Sequence, residues 1–61
     1  MDAERERWAE ALAIHRRYGE SAPKHVAERL GAVGLAGDGA GVERWMQIAA
    51  RINQLRQGDM H

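Results

Sequence analysis

The sequence of 61 residues has no cysteine, no threonine, one serine and no net charge. Each absence removes a class of function. Without cysteine there are no disulfides, no thiolate zinc sites and no thiol nucleophiles. Ser21 falls where a helix cap belongs, so nucleophilic catalysis has no better candidate. Nine basic and nine acidic residues cancel. Residues 1–20 hold four Arg against five acids, 21–37 two bases against one acid, and 38–61 three against three. No segment attracts phosphate backbones or anionic lipid by charge alone. Long apolar runs are missing too: the longest uncharged stretch, Leu30 to Gly37, falls far short of the ~20 residues of a spanning helix. The start, Met1-Asp2-Ala3-Glu4-Arg5-Glu6, is acidic and lacks the apolar centre of an export signal. A cytoplasmic chain without membrane contact is the expectation.

What is there reads as helix. A chain this short forms at most one domain and buries only about 60% of its unfolded surface, so helix packing or self-association must supplement the core. A first helix is expected over about 2–18, with Trp8, Ala11, Leu12, His15 and Tyr18 on one side. Asp2, Glu4 and Glu6 complement its positive end, and Arg16 and Arg17 its negative end. Gly19 is placed to stop it in a left-handed cap. A second helix, about 22–36, opens at Ser21-Ala22-Pro23, where proline has no hydrogen bond to lose. Ala22, Val26, Leu30 and Val33 form its apolar line, and Ala27, Gly31 and Gly34 widen it with small residues suited to close helix approach. Gly34 costs about 1 kcal/mol of helix propensity, leaving the end between Val33 and Ala36.

Gly37-Asp38-Gly39 makes the next turn, with Asp38 as N-cap. The third helix, about 39–57, carries Val42, Trp45, Ile48, Ala49, Ile52 and Leu55, followed by a tail at 58–61. Short connections favour antiparallel neighbours. The expected fold is all-α, a compact three-helix bundle cored by Trp8, Leu12, Val26, Leu30, Val33, Trp45, Ala49 and Ile52.

Chemistry finds little purchase in this pattern. His15, His25 and His61 have no metal-binding mate at i+3 or i+4, so no metal site is expected; a sensor built around His15 is the poorest option. Asp2, Glu4, Glu6 and Glu10 lie on a charged, solvated surface. The glycines at 31, 34, 37, 39 and 41 match neither phosphate-loop pattern, and Asp38 would repel a phosphate. A bundle this small has little room for a pocket of ~300 Å³. No enzymatic activity and no cofactor are expected.

Two binding roles remain. Ala27 and Gly31, followed by Val42-x-x-Trp45, resemble a helix-turn-helix in composition, but the second pair arrives about five residues late for its tight turn. On the third helix Arg44, Gln47, Arg51 and Gln54 form a strip expected to face outward, and Arg and Gln read bases. A DNA-binding regulator using that strip is the alternative reading. The leading one is a protein–protein interaction module that is itself homodimeric or binds an unidentified protein. Two indoles are hard to bury fully in so small a domain, and Ile14, Leu35 and Met46 are expected to leave an apolar patch for a partner.

Trp8-Ala9-Glu10-Ala11-Leu12, Tyr18-Gly19, Val26-Ala27-Glu28-Arg29-Leu30-Gly31-Ala32, Leu35-Ala36-Gly37-Asp38, Gly41-Val42-Glu43-Arg44-Trp45 and Ile48-Ala49-Ala50-Arg51-Ile52 together resemble a family of short alphaproteobacterial proteins of unknown function. The resemblance spans about Trp8 to Leu55 and departs at Gly34, where a helix-favouring residue is more usual. It implies a free-standing bacterial cytoplasmic protein and supplies no activity, cofactor or catalytic residue. A likeness to tetratricopeptide repeats at Trp8, Ala11 and His15 ends at the second helix.

Overall fold

The computed structural model describes residues 2–58; of the tail expected at 58–61, Gly58 is instead the last residue of the third helix, and 59–61, with His61, lie outside the described residues. The described chain is helical in two unbroken stretches, 3–35 and 39–58. The first contains α1 (Ala3–Tyr18), a 3₁₀ turn at Gly19–Ser21 and α2 (Ala22–Leu35); the second is α3 (Gly39–Gly58). No strand occurs among the described residues, and no described helix is long and apolar enough to cross a membrane.

The ends of the elements follow local chemistry. Glu4 and Glu6 occupy the first turn of α1, and His15, Arg16 and Arg17 its last, each sign beside the opposite end of the helix dipole. Gly19 takes φ 56° and ψ −124° while its N–H donates to the His15 carbonyl. That pairing of angles lies outside the left-handed helical well, so the expected cap becomes a sharper, glycine-only bend into the 3₁₀ turn. Ser21 sits at the N-cap position of α2, but its side chain makes no capping hydrogen bond. The cap expected there is absent because the 3₁₀ turn already runs directly into α2.

At the other end of α2 the Asp38 N–H donates to the Val33 carbonyl at 2.9 Å and the Gly37 N–H to the Gly34 carbonyl at 3.1 Å. With Gly37 at φ 74°, this is a Schellman stop. Helix two therefore continues through Gly34 and ends at Leu35, with Ala36 as its cap. Asp38 then caps α3: its Oδ1 accepts from the Gly41 N–H at 2.9 Å.

α3 is the central element. α1 and α2 each pack along it and meet one another little beyond their junction. The result is a flattened body whose Cα extents are 38 × 29 × 16 Å. Its buried core consists of Ala11, Ala22, Val26, Ile48 and Ile52. Ile14, Tyr18, Trp45, Ala49 and Leu55 pack against them half-buried. Several core expectations are corrected by this arrangement. Leu12 is exposed at 37%, because α1 turns Ala11 rather than Leu12 toward α3. Trp8, Leu30, Val33, Trp45 and Ala49 are only half-buried, since a flat layer gives large side chains cover on one side. Gly31 and Gly34 do not serve close packing inside the chain; the space where a Cβ would stand is open at both.

Candidate functional site

Two faces of α3 carry the polar and apolar features that could bind something. The first is its seam with α1. Arg7 on α1 donates from Nη1 to Glu10 Oε1 at 2.9 Å and from Nε to Gln47 Oε1 at 3.1 Å. Arg44 of α3 donates from Nη2 to the other Glu10 oxygen. Burial pushes the Glu10 carboxyl up, but the hydrogen bonds and charges of Arg44 and Arg7 outweigh it and hold the group below the ordinary glutamate range. Arg44 is raised, first by its hydrogen bond to Glu10. Two turns further along α3 from Arg44, the Arg51 guanidinium lies 5.4 Å from the centroid of the Trp8 ring, within cation–π range. Arg51 is half-buried, and its Nε makes no hydrogen bond.

Of the strip expected to face outward, Arg44, Gln47 and Gln54 are exposed and Arg51 is half-buried. Arg44, Gln47 and Arg51 each also reach α1, at Glu10, Arg7 and Trp8 in turn. The physical reason is complementarity: Arg7, Glu10 and Trp8 give α1 a polar and aromatic edge that a charged stripe on α3 can meet. A pattern drawn from apolar spacing alone does not see such a seam.

A second cluster joins all the elements at the Gly19 bend. The Tyr18 and His25 rings stack at 4.1 Å with 13° between planes, and His25 meets Trp45 edge-on at 6.1 Å. Arg29 reaches over Trp45 at 5.8 Å and Arg17 over Tyr18 at 5.7 Å. His15, expected beside Tyr18 on the apolar side of α1, is half-buried, while His25 is the histidine that stacks on Tyr18. Among the described residues no group of three or more His, Asp or Glu is placed to hold a metal ion.

The apolar site is the outer face of α2 and α3. A groove of about 180 Å³ runs between them. Pro23, Val26, Ala27 and Leu30 form its α2 wall, and Ala49, Ile52, Asn53 and Arg56 its α3 wall. The spacing of these residues explains the face. Pro23, Ala27, Leu30 and Gly34 recur at steps of four, three and four. Val42, Met46, Ala49, Asn53 and Arg56 recur at four, three, four and three. Such alternation keeps one narrow strip of each helix on a common side. Ala27 and Gly34 are exposed, Leu30 and Ala49 half-buried, and Met46 is exposed at 58%. Arg56 is the one charged residue on either strip.

The three residues expected to form a partner patch are separated. Met46 lies on the α3 strip. Ile14 packs against the core instead of flanking it. Leu35, exposed at 93%, is one position past Gly34 and so turns away from the α2 strip. The groove residues Ala27, Leu30, Asn53 and Arg56 were missed as a binding surface. Small residues carry much of that face, so no run of large apolar side chains announces it.

Fold and surfaces together define a small chain, helical through almost all its described residues, with a partly exposed polar seam on one side of its central helix and an open apolar groove on the other. By sequence the chain belongs to a family of unknown function, DUF6961, whose model matches residues 3–59. No curated protein and no solved structure matches it.

Proposed function

We propose that this chain is a non-catalytic interaction module, a three-helix unit organised about α3, which binds a protein partner through the outer face of α2 and α3. The observation that carries this reading is the groove between α2 and α3, apolar except at Asn53 and charged only at Arg56. Depletion of charge at the centre of a patch is the compositional mark of an interface core. A groove of this volume is smaller than the ~300 Å³ expected of small-molecule pockets, which favours side chains of a partner as its occupants. The DNA-binding reading asks Arg44, Gln47 and Arg51 to give up their contacts with α1, a cost that the groove does not carry.

Binding is measured as self-association by light scattering and as protein captured from cell extract on the immobilised chain. Ala27→Glu sets a charge in the groove at an exposed helical position, and it is expected to abolish binding without loss of helicity. Arg44→Ala is expected to leave binding intact. Binding that survives Ala27→Glu but is lost in Arg44→Ala would move the site to the seam and overturn the reading.

A further inference from the structure

We infer that the solvent edge of the α1–α3 seam, where Gln47 and Arg51 meet Arg7 and Trp8, binds a small phosphate-bearing ligand. Charge is the first argument. Three arginines, Arg7, Arg44 and Arg51, span the seam. Glu10 accepts from Arg7 and Arg44, and Glu6 adds its charge on the Arg44 side. Arg51 is the cation left over, for among the described residues no carboxylate is paired with it. Its charge rests on the Trp8 ring, and its Nε is enclosed without an acceptor. A half-buried guanidinium gives up hydration that a ring face replaces only in part. An oxyanion on the open side of that guanidinium offsets the cost.

Geometry is the second argument, because the donors converge from two helices. Gln47 and Arg51 stand one turn apart on one side of α3, and Arg7 and Trp8 are consecutive on α1. Gln47 accepts from Arg7 through Oε1, which leaves its amide NH₂ to donate. Arg7 uses Nε on Gln47 and Nη1 on Glu10, which leaves Nη2. Arg51 is half-buried rather than enclosed, so with Nε covered the ligand meets its outer Nη edge.

The ligand class follows from these donors. Two guanidiniums and an amide approach from different directions, which suits the tetrahedral oxygens of a phosphate better than the planar pair of a carboxylate. A single cation in surplus suits a small ligand rather than a nucleic-acid backbone, which is held by many.

The test is NMR of the whole chain, following the Trp8 indole N–H and the Arg51 side chain. Inorganic phosphate replaces chloride at constant ionic strength and neutral pH. Saturable shifts at millimolar phosphate are expected at both groups, with acetate binding more weakly. Arg51→Gln should weaken phosphate binding by about tenfold or more, the loss of charge-assisted hydrogen bonds. Arg56→Gln, on the groove, should leave it unchanged. Gln47→Glu supplies an internal carboxylate one turn before Arg51, a favourable helical pairing. That variant should keep its helices and lose the phosphate response, so a folding defect does not account for the loss. Shifts that never saturate, an equal loss in Arg56→Gln, or a full response in Gln47→Glu overturns the inference, as does acetate that binds more tightly than phosphate.

Discussion

Asp38 and Gly41 show how one side chain sets the identity of a residue three positions on. The Asp38 carboxylate reaches the Gly41 N–H, and a Cβ at residue 41 would stand 2.5 Å from Asp38 Oδ2 and 3.2 Å from the Val33 Cβ. Glycine at 41 is thus required by the cap rather than by φ, which is helical there. Removing the carboxylate in Asp38→Ala should cost about 1 kcal/mol. Gly41→Ala displaces the same carboxylate and should also destabilise, although alanine is the better helix former by about 1 kcal/mol. In the Asp38→Ala background the clash with the carboxylate is gone and only the close approach to Val33 remains, so Gly41→Ala should be less destabilising there than in wild type. The measurement is a double-mutant cycle by urea unfolding. Strictly additive effects would mean that Asp38 does not hold this cap in solution.

At the scale of elements, the α1–α3 seam adds a charged contact to the apolar packing of the two helices. Glu10 is its centre, because both Arg7 and Arg44 donate to it. Its carboxyl is lower in the folded chain than in the unfolded one, so the folded state gives up this proton more readily. Above the ordinary glutamate value, ~4.3, both states are ionised and the seam contributes in full. As pH falls the unfolded chain takes up the proton first, and the contribution fades until the folded group is protonated as well. Glu10→Gln should therefore lower stability at neutral pH and narrow its difference from wild type in acid. Equal differences at pH 7 and pH 3 would count against the seam.

These elements were legible in the sequence to different degrees. Gly19, Pro23 and Asp38 mark chain direction whatever packs nearby, and the observed helices lie within about one residue of the expected ranges. Rotation of each helix about its own axis is another matter. Ala11 and Leu12 are neighbours on one broad apolar side, and only the position of α3 decides that Ala11 is buried and Leu12 exposed at 37%. The polar strip from Arg44 to Gln54 has the spacing of a solvated face, and nothing within α3 announces that α1 brings Glu10 to it. The groove was not announced by the sequence, since small residues such as Ala27 and Gly34 carry little weight beside large apolar side chains.

For the molecule as a whole, stability and association are one question. Five buried side chains, two of them alanine, make a thin core for 57 described residues, and chains of this size are marginal alone. If folding is completed by pairing, the unfolding equilibrium is two unfolded chains per folded dimer, and mass action makes the midpoint depend on concentration. A tenfold rise in chain concentration adds about 1.4 kcal/mol per dimer. With an unfolding entropy of ~2 cal/mol/K per residue, that raises Tm by about 5 °C. Calorimetric scans at three concentrations, each a decade apart, should give midpoints separated by that interval, while Ala27→Glu should melt lower and at the same temperature in all three. A wild-type midpoint that does not move would mean that the core of one copy suffices, and that the apolar groove between α2 and α3 is open to a different protein.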